Sequence, residues 1–164
     1  MRAKTTIDSS DGKQTTITIE YVKPDRVRVI QPDGGEVIAI KGKGAWQKTG
    51  DKWQPMGTQA ADMFFTFLEP AAIEEMLKLI QVDSVQLVGP ELLDGKPVFV
   101  YTYKTKIQSA GQPIEGSNKI WVGAVDGRAY RVETTSESLV NKGKQDHTLA
   151  TYEYDVPLTI EAPQ

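Results

Sequence analysis

Few of the side chains that do chemistry occur here in the company that chemistry requires. His147 is the only histidine, in Asp146-His147-Thr148 on a polar, strand-like stretch. A metal site or a nucleophile–base pair needs partners of defined geometry. There is no second histidine and no cysteine, so His147 reads as an ordinary strand histidine. Glu74 and Glu75 are adjacent. Neighbours in sequence do not share a helix face, and acids near a helix start complement its dipole. The pair therefore reads as structural rather than as an acid/base couple. Gly42-Lys43-Gly44 lacks the spacing and the following helix of a phosphate loop. Asp33-Gly34, Asp94-Gly95 and Asp126-Gly127 are turn pairs without the run of oxygen ligands that calcium needs. Arg26, Arg28 and Lys41 make a basic strip that fits a solvated strand face. No catalytic residue, metal site or cofactor is expected, and the chain is not expected to be an enzyme.

A crowd of large apolar side chains is the stronger signal. Trp46, Trp53, Met56, Met63, Phe64, Phe65, Phe67 and Met76 fall within a short span, with Leu68 and Leu77 among them. Two readings fit. Such residues are normally core. Pockets for apolar ligands are also lined by apolar groups with few polar ones, and methionine adapts to irregular spaces. On the second reading Trp46, Trp53, Met56, Met63, Phe64, Phe67, Leu68, Met76 and Leu77 line a site for an apolar ligand.

The elements that must position these residues are mostly strands. Thr58–Ile80 is the one convincing helical stretch. Apolar residues recur at Ala60, Met63, Phe64, Phe67 and Leu68, then at Ile73, Met76, Leu77 and Ile80, the intervals of an amphipathic helix. Phe65 falls outside the first stripe. Pro70 splits the segment, because the residue before a proline avoids the α region and proline suits a helix's first position. Two short helices are expected. Elsewhere the pattern alternates with a period of 2: Ile17, Ile19 and Tyr21 face one way, Thr16, Thr18 and Glu20 the other. Strands are expected over 2–8, 13–22, 26–30, 36–41, 45–48, 52–54, 82–93, 96–107, 119–124, 128–137 and 145–154. Gly89-Pro90 marks an edge, a bulge or a break, and Ser109–Gly116 reads as a polar loop. Turns come every ten residues or so, as in antiparallel meanders, and βαβ units are missing. The expected class is mainly β (α+β), with the two helices on one side of the sheet.

The totals narrow the partners. One domain spanning residues 1–164 is expected from the length. A net charge of −3 and a pI near 5.3 argue against nucleic acid, which needs a basic face. No apolar run approaches the roughly 20 residues that span a bilayer. Met1 leads at once into strand-like Arg-Ala-Lys-Thr-Thr-Ile with no signal peptide, the start expected of a domain cut from a longer precursor.

In order along the chain, several motifs resemble the bacterial lipoprotein-carrier superfamily: LolA-like periplasmic carriers, LolB-like receptors and LppX/LprG-type lipoproteins. They are the Tyr21-Val22-Lys23-Pro24-Asp25-Arg26 turn, the Glu36-Val37-Ile38 strand, the Trp46…Trp53 hairpin and the mid-chain helices. Ile120-Trp121-Val122…Asp126-Gly127-Arg128 and the ending Val156-Pro157-Leu158-Thr159-Ile160-Glu161-Ala162-Pro163 complete the set. The resemblance implies a strongly curved antiparallel sheet, a half-barrel, with the two short helices covering its concave face over an apolar cavity. Two features depart from it: almost nothing precedes Arg2 where the family usually has a helix, and the lipobox cysteine of anchored members is absent. The function implied is non-catalytic binding of a lipid, or of a lipoprotein's acyl chains, for transport or sorting in the cell envelope. Location would be periplasmic or extracytoplasmic, with a lipid anchor on the precursor. The alternative is an envelope sensor or structural module of the same fold, which meets a protein partner and transports nothing.

Overall fold

A computed structural model describes residues 1–66, 74–75, 77–109, 112–138 and 141–163. The chain is mainly β. In sequence order the elements are β1 (Arg2–Asp8), β2 (Gln14–Val22), β3 (Arg26–Ile30), β4 (Glu36–Ile40), β5 (Gly44–Thr49), β6 (Lys52–Gly57), α1 (Thr58–Thr66), β7 (Ile80–Leu93), β8 (Lys96–Ser109), β9 (Gln112–Gly123), β10 (Ala129–Glu137) and β11 (Gln145–Glu153). The strands hydrogen-bond in the order β6-β5-β4-β3-β2-β1-β11-β10-β9-β8-β7, an open sheet that starts and ends on β6 and β7. Two compact units form. The first holds Met1–Lys4, Thr16–Leu77 and Glu153–Gln164, and the second Thr5–Thr15 and Lys78–Tyr152.

In the first unit, antiparallel register sets what each face carries, because directly paired residues point the same way. Tyr21 pairs Val27, Val27 pairs Ala39 and Ala39 pairs Ala45. That face receives α1, which packs against β4, β5 and β6. Ala61 and Phe65, one helical turn apart, are buried with Val27, Ala39 and Ala45. Small side chains at 39, 45 and 61 leave room for the Phe65 ring. The helix is therefore rotated from the expected stripe. Phe65 is only 4% exposed and Met63 is 60% exposed, while Ala60 and Phe64 flank the contact. The end of the first expected helix, 67–69, and residues 70–73 and 76 of the second, expected from Pro70, lie outside the described set. Glu74, Glu75, Leu77 and Lys78 have helical backbone. Among the described residues α1 is the one complete helix.

The opposite face of this unit carries charge. Glu20 pairs Arg28, which pairs Ile38, which pairs Trp46. The Arg2 guanidinium donates to Glu20 Oε1 at 2.9 Å and to Glu153 Oε2 at 3.1 Å. Arg28 lies 3.7 Å from Glu20 Oε2 and donates from Nε to Glu36 Oε2 at 2.8 Å. Lys48 Nζ closes the row on Glu36 Oε1 at 3.3 Å. Six charges of alternating sign thus run Glu153, Arg2, Glu20, Arg28, Glu36, Lys48. Of the basic strip expected on a solvated face, Lys41 is exposed, while Arg26 and Arg28 are half-exposed and paired. Arg28 belongs to this ladder, and Arg26 donates to the Ile160 carbonyl at 2.8 Å.

In the second unit β7 to β11 form a meander. The β7–β8 turn works because Asp94 (φ 50°) and Gly95 (φ 79°) both take positive φ, as a tight two-residue hairpin turn requires. At Gly89 the β7–β8 register shifts, and β7 ends the sheet, in keeping with what Gly-Pro does to a strand. The polar loop expected over Ser109–Gly116 is instead largely strand. β9 starts at Gln112, setting Ile114 opposite Ile107 and Glu115 opposite Lys106. An apolar pair and an ion pair, the latter with Lys106 Nζ 3.5 Å from Glu115 Oε1, extend the hairpin past the glycine.

Candidate functional site

Alternation along β8 divides the second unit into two unlike faces. Val98 and Val100 are buried with Trp121, with Leu93 and Tyr130 packed beside them. Polar and cationic groups surround the indole. Its Nε1 donates to Glu91 at 2.9 Å, and Lys119 Nζ and Arg131 Cζ sit 4.5 and 4.8 Å from the ring centroid, within cation–π range. Arg131 also pairs with Glu133. Further along this face lies a polar depression of about 500 Å³ that includes Lys104, Lys119, Glu133, Thr135 and His147. His147 is exposed there, with Nδ1 3.2 Å from Thr135 Oγ1. Among the described residues no three His, Cys, Asp or Glu side chains converge as a metal site.

The other face is apolar, and it is exposed along β7 and at Phe99. Phe99 pairs Pro90 and Val122, and Tyr101 pairs Leu87 and Ile120. Ile120 pairs Val132, and Val132 pairs Ala150. Leu92 is 76% exposed, Leu87 59% and Phe99 40%. Val82, opposite Thr105 on the same face, is exposed as well. Soluble proteins seldom leave contiguous apolar area uncovered unless it meets something. A polar row crosses this face: Tyr103 pairs Asn118, Asn118 pairs Thr134, and Thr134 pairs Thr148. Asn118 is buried and bonded. Its Nδ2 donates to Thr105 Oγ1 at 3.0 Å, and its Oδ1 accepts from Thr134 Oγ1 at 2.8 Å.

The residues singled out from sequence do not form one lining. Trp46 and Trp53 lie on the face of the first unit opposite α1, half-buried against Ile38, Ile40 and Ile160, with Lys48 Nζ 5.9 Å above the Trp53 ring. Trp46 pairs Ile38 while its neighbour Ala45 points to the helix, so alternation alone keeps it from that side. Met56 and Met63 are exposed, and Phe64 is half-buried at the margin of the helix contact. Leu77 is exposed on helical backbone. Phe67, Leu68 and Met76 lie outside the described residues. The face of Leu87, Phe99, Tyr101 and Ile120 went unmarked in the sequence. Its available signal was the alternation Phe99, Tyr101, Tyr103 on β8.

No protein-family model matches the sequence, and no curated protein does. Solved structures do. The chain is similar to the Mycobacterium tuberculosis lipoprotein LppX, with a TM-score of 0.54 and 13% identity over 98% of this chain and 89% of that one. It is similar also to LprF from Mycobacterium bovis, with a TM-score of 0.56 and 11% identity over 99% and 89%. The chain shares their fold. The resemblance drawn from the Tyr21–Arg26 turn, the tryptophan hairpin and the Trp121 strand therefore holds at the level of architecture. No helix among the described residues is long and apolar enough to cross a membrane.

Proposed function

We propose that this is a non-catalytic protein of the cell envelope that holds a lipid, or the acyl chains of a lipoprotein, against the apolar face of the second unit, for transport or sorting. The bare face of Leu87, Leu92 and Phe99 carries the reading. At about 0.8 kcal/mol per CH₂ taken out of water, an acyl chain laid there gains affinity without any charged anchor. The fold shared with LppX, a lipoprotein by description, supports an extracytoplasmic location. In this reading the chain works as one domain over residues 1–164, and its sheet curls into a half-barrel. Helices cover the concave side, and capture and release follow from their movement on the sheet.

Delipidated protein titrated with a fluorescent fatty acid tests the proposal. Saturable binding, with a lipid co-purifying in native mass spectrometry, is expected. An absence of both, together with recovery of a defined envelope protein on the same face, would replace the carrier with an interaction module.

A further inference from the structure

Lys104 stands in the polar depression of the second unit without a counter-ion among the described residues. The carboxylates near it are engaged elsewhere. Asp83, its partner across β7 and β8, accepts from the Ser84 backbone N–H at 2.6 Å. Glu133 pairs with Arg131. Glu91 accepts from the Trp121 indole, and Lys119 Nζ lies 3.8 Å from its other oxygen, a long contact between two partly solvated groups.

Register arranges what surrounds Lys104. It lies directly opposite Ser117, and Thr102 lies directly opposite Lys119. Residues two apart on a strand share a face, so these four make the corners of one quadrilateral, roughly 5 Å across the strands and 7 Å along them. Ammoniums take one diagonal and hydroxyls the other. All four residues line the depression, which measures about 500 Å³. Neither the Thr102 nor the Ser117 hydroxyl has a hydrogen-bond partner among the described residues. Four donors around one patch, two of them cationic, suit an anion with several oxygens. A carboxylate offers two oxygens. A phosphate group offers up to four in a tetrahedral array, and lysine serves it as a point charge.

We propose that this depression binds a phosphate group, with Lys104 and Lys119 supplying the positive charge and Thr102 and Ser117 donating their hydroxyl protons. The phosphate is that of a lipid headgroup or of a soluble ion or ester. The site stands apart from the acyl-binding reading, which concerns the opposite face of β8 and β9.

The test titrates the ¹⁵N-labelled full chain with inorganic phosphate, ionic strength held constant with chloride. Saturable amide shifts centred on Lys104, Ser117 and Lys119 are expected. Lys104→Gln should weaken binding about fivefold, the scale of one charge-assisted hydrogen bond at a partly solvated site. Lys43→Gln removes the same charge from an exposed turn of the first unit and should change nothing. Co-sedimentation with vesicles of phosphatidylcholine, alone or mixed with phosphatidic acid, separates the sources. Binding to the mixed vesicles that depends on Lys104 assigns a lipid headgroup, and phosphate binding without it assigns a soluble ion or ester. Equal weakening by Lys43→Gln, shifts centred elsewhere, or no Lys104-dependent binding of either phosphate or vesicles would overturn the site.

Discussion

The two units use similar strands to opposite ends. In the first, the apolar face of Val27, Ala39 and Ala45 is covered by Ala61 and Phe65 of α1. In the second, the apolar face of Leu87, Phe99 and Ile120 has no such cover among the described residues, and Leu92 and Leu87 stand in solvent. The charged faces differ in the same way. The first unit strings its charges into a ladder through the buried Glu20, and the second gathers its own around one tryptophan. A covered face contributes stability; a bare one is a surface that stability does not need. That contrast separates substitutions that unfold the protein from substitutions that leave it folded.

The largest expected effect is at the covered face. Phe65→Ala should lower unfolding free energy by about 3–5 kcal/mol, read as a shifted denaturant midpoint. Met63→Ala on the same helix should stay within about 0.5 kcal/mol. Equal costs at the two positions would mean the helix is not seated through Phe65. Next comes Glu20→Ala. It leaves Arg2 and Arg28 facing each other without their shared carboxylate, at a cost of about 1–2 kcal/mol, held down because both guanidiniums are partly solvated. No loss at low salt would show the ladder to be ornamental for stability.

A smaller effect depends on pH. Burial alone would raise Glu36, but Arg28 and Lys48 beside it hold its carboxyl below the usual range. A depressed carboxylate stabilises the fold above its unfolded pKa, near 4.3, and that contribution drains away as pH falls through the lower folded value. Thermal melts from about pH 6 down to pH 3 should show a steeper acid loss in the wild type than in Glu36→Gln. Parallel curves would remove Glu36 from the account. Smallest in stability is the pair Leu87→Ser and Phe99→Ser, each within about 1 kcal/mol. The same pair should weaken fatty-acid binding at least about tenfold. A large stability loss there would mean the second unit's apolar face is core after all.

How far the sequence could be read follows from the same contrast. β1 and β3 fall on their expected bounds, and β2, β10 and β11 within a residue, because alternation and turn residues are local signals. Alternation also assigned the faces of β2 correctly. Coverage of a face is not local. Ile19 came out exposed and Glu20 buried, since what lies above each is decided by Arg2, Arg28 and the reach of a nine-residue helix. The stripe on α1 was misphased for a related reason: side chains at 39 and 45, far away in sequence, choose which side of the helix can approach. Trp46 and Trp53 drew attention by size, yet size says nothing about which side of a hairpin a ring occupies. The face of Phe99 and Tyr101 is written in ordinary strand residues, and its lack of cover among the described residues follows from packing that no local pattern records.

The row of charges on the first unit has a bearing on how the sheet is assembled. Glu20 lies opposite Arg28, and Arg28 reaches across to Glu36. A hairpin zipped one residue out of step turns its side chains to the wrong surface, so Glu20 would look away from the guanidinium it needs. Only one alignment lets Glu20 and Glu36 each meet two cations at once. The ladder thus favours one register across these strands, one rung for each.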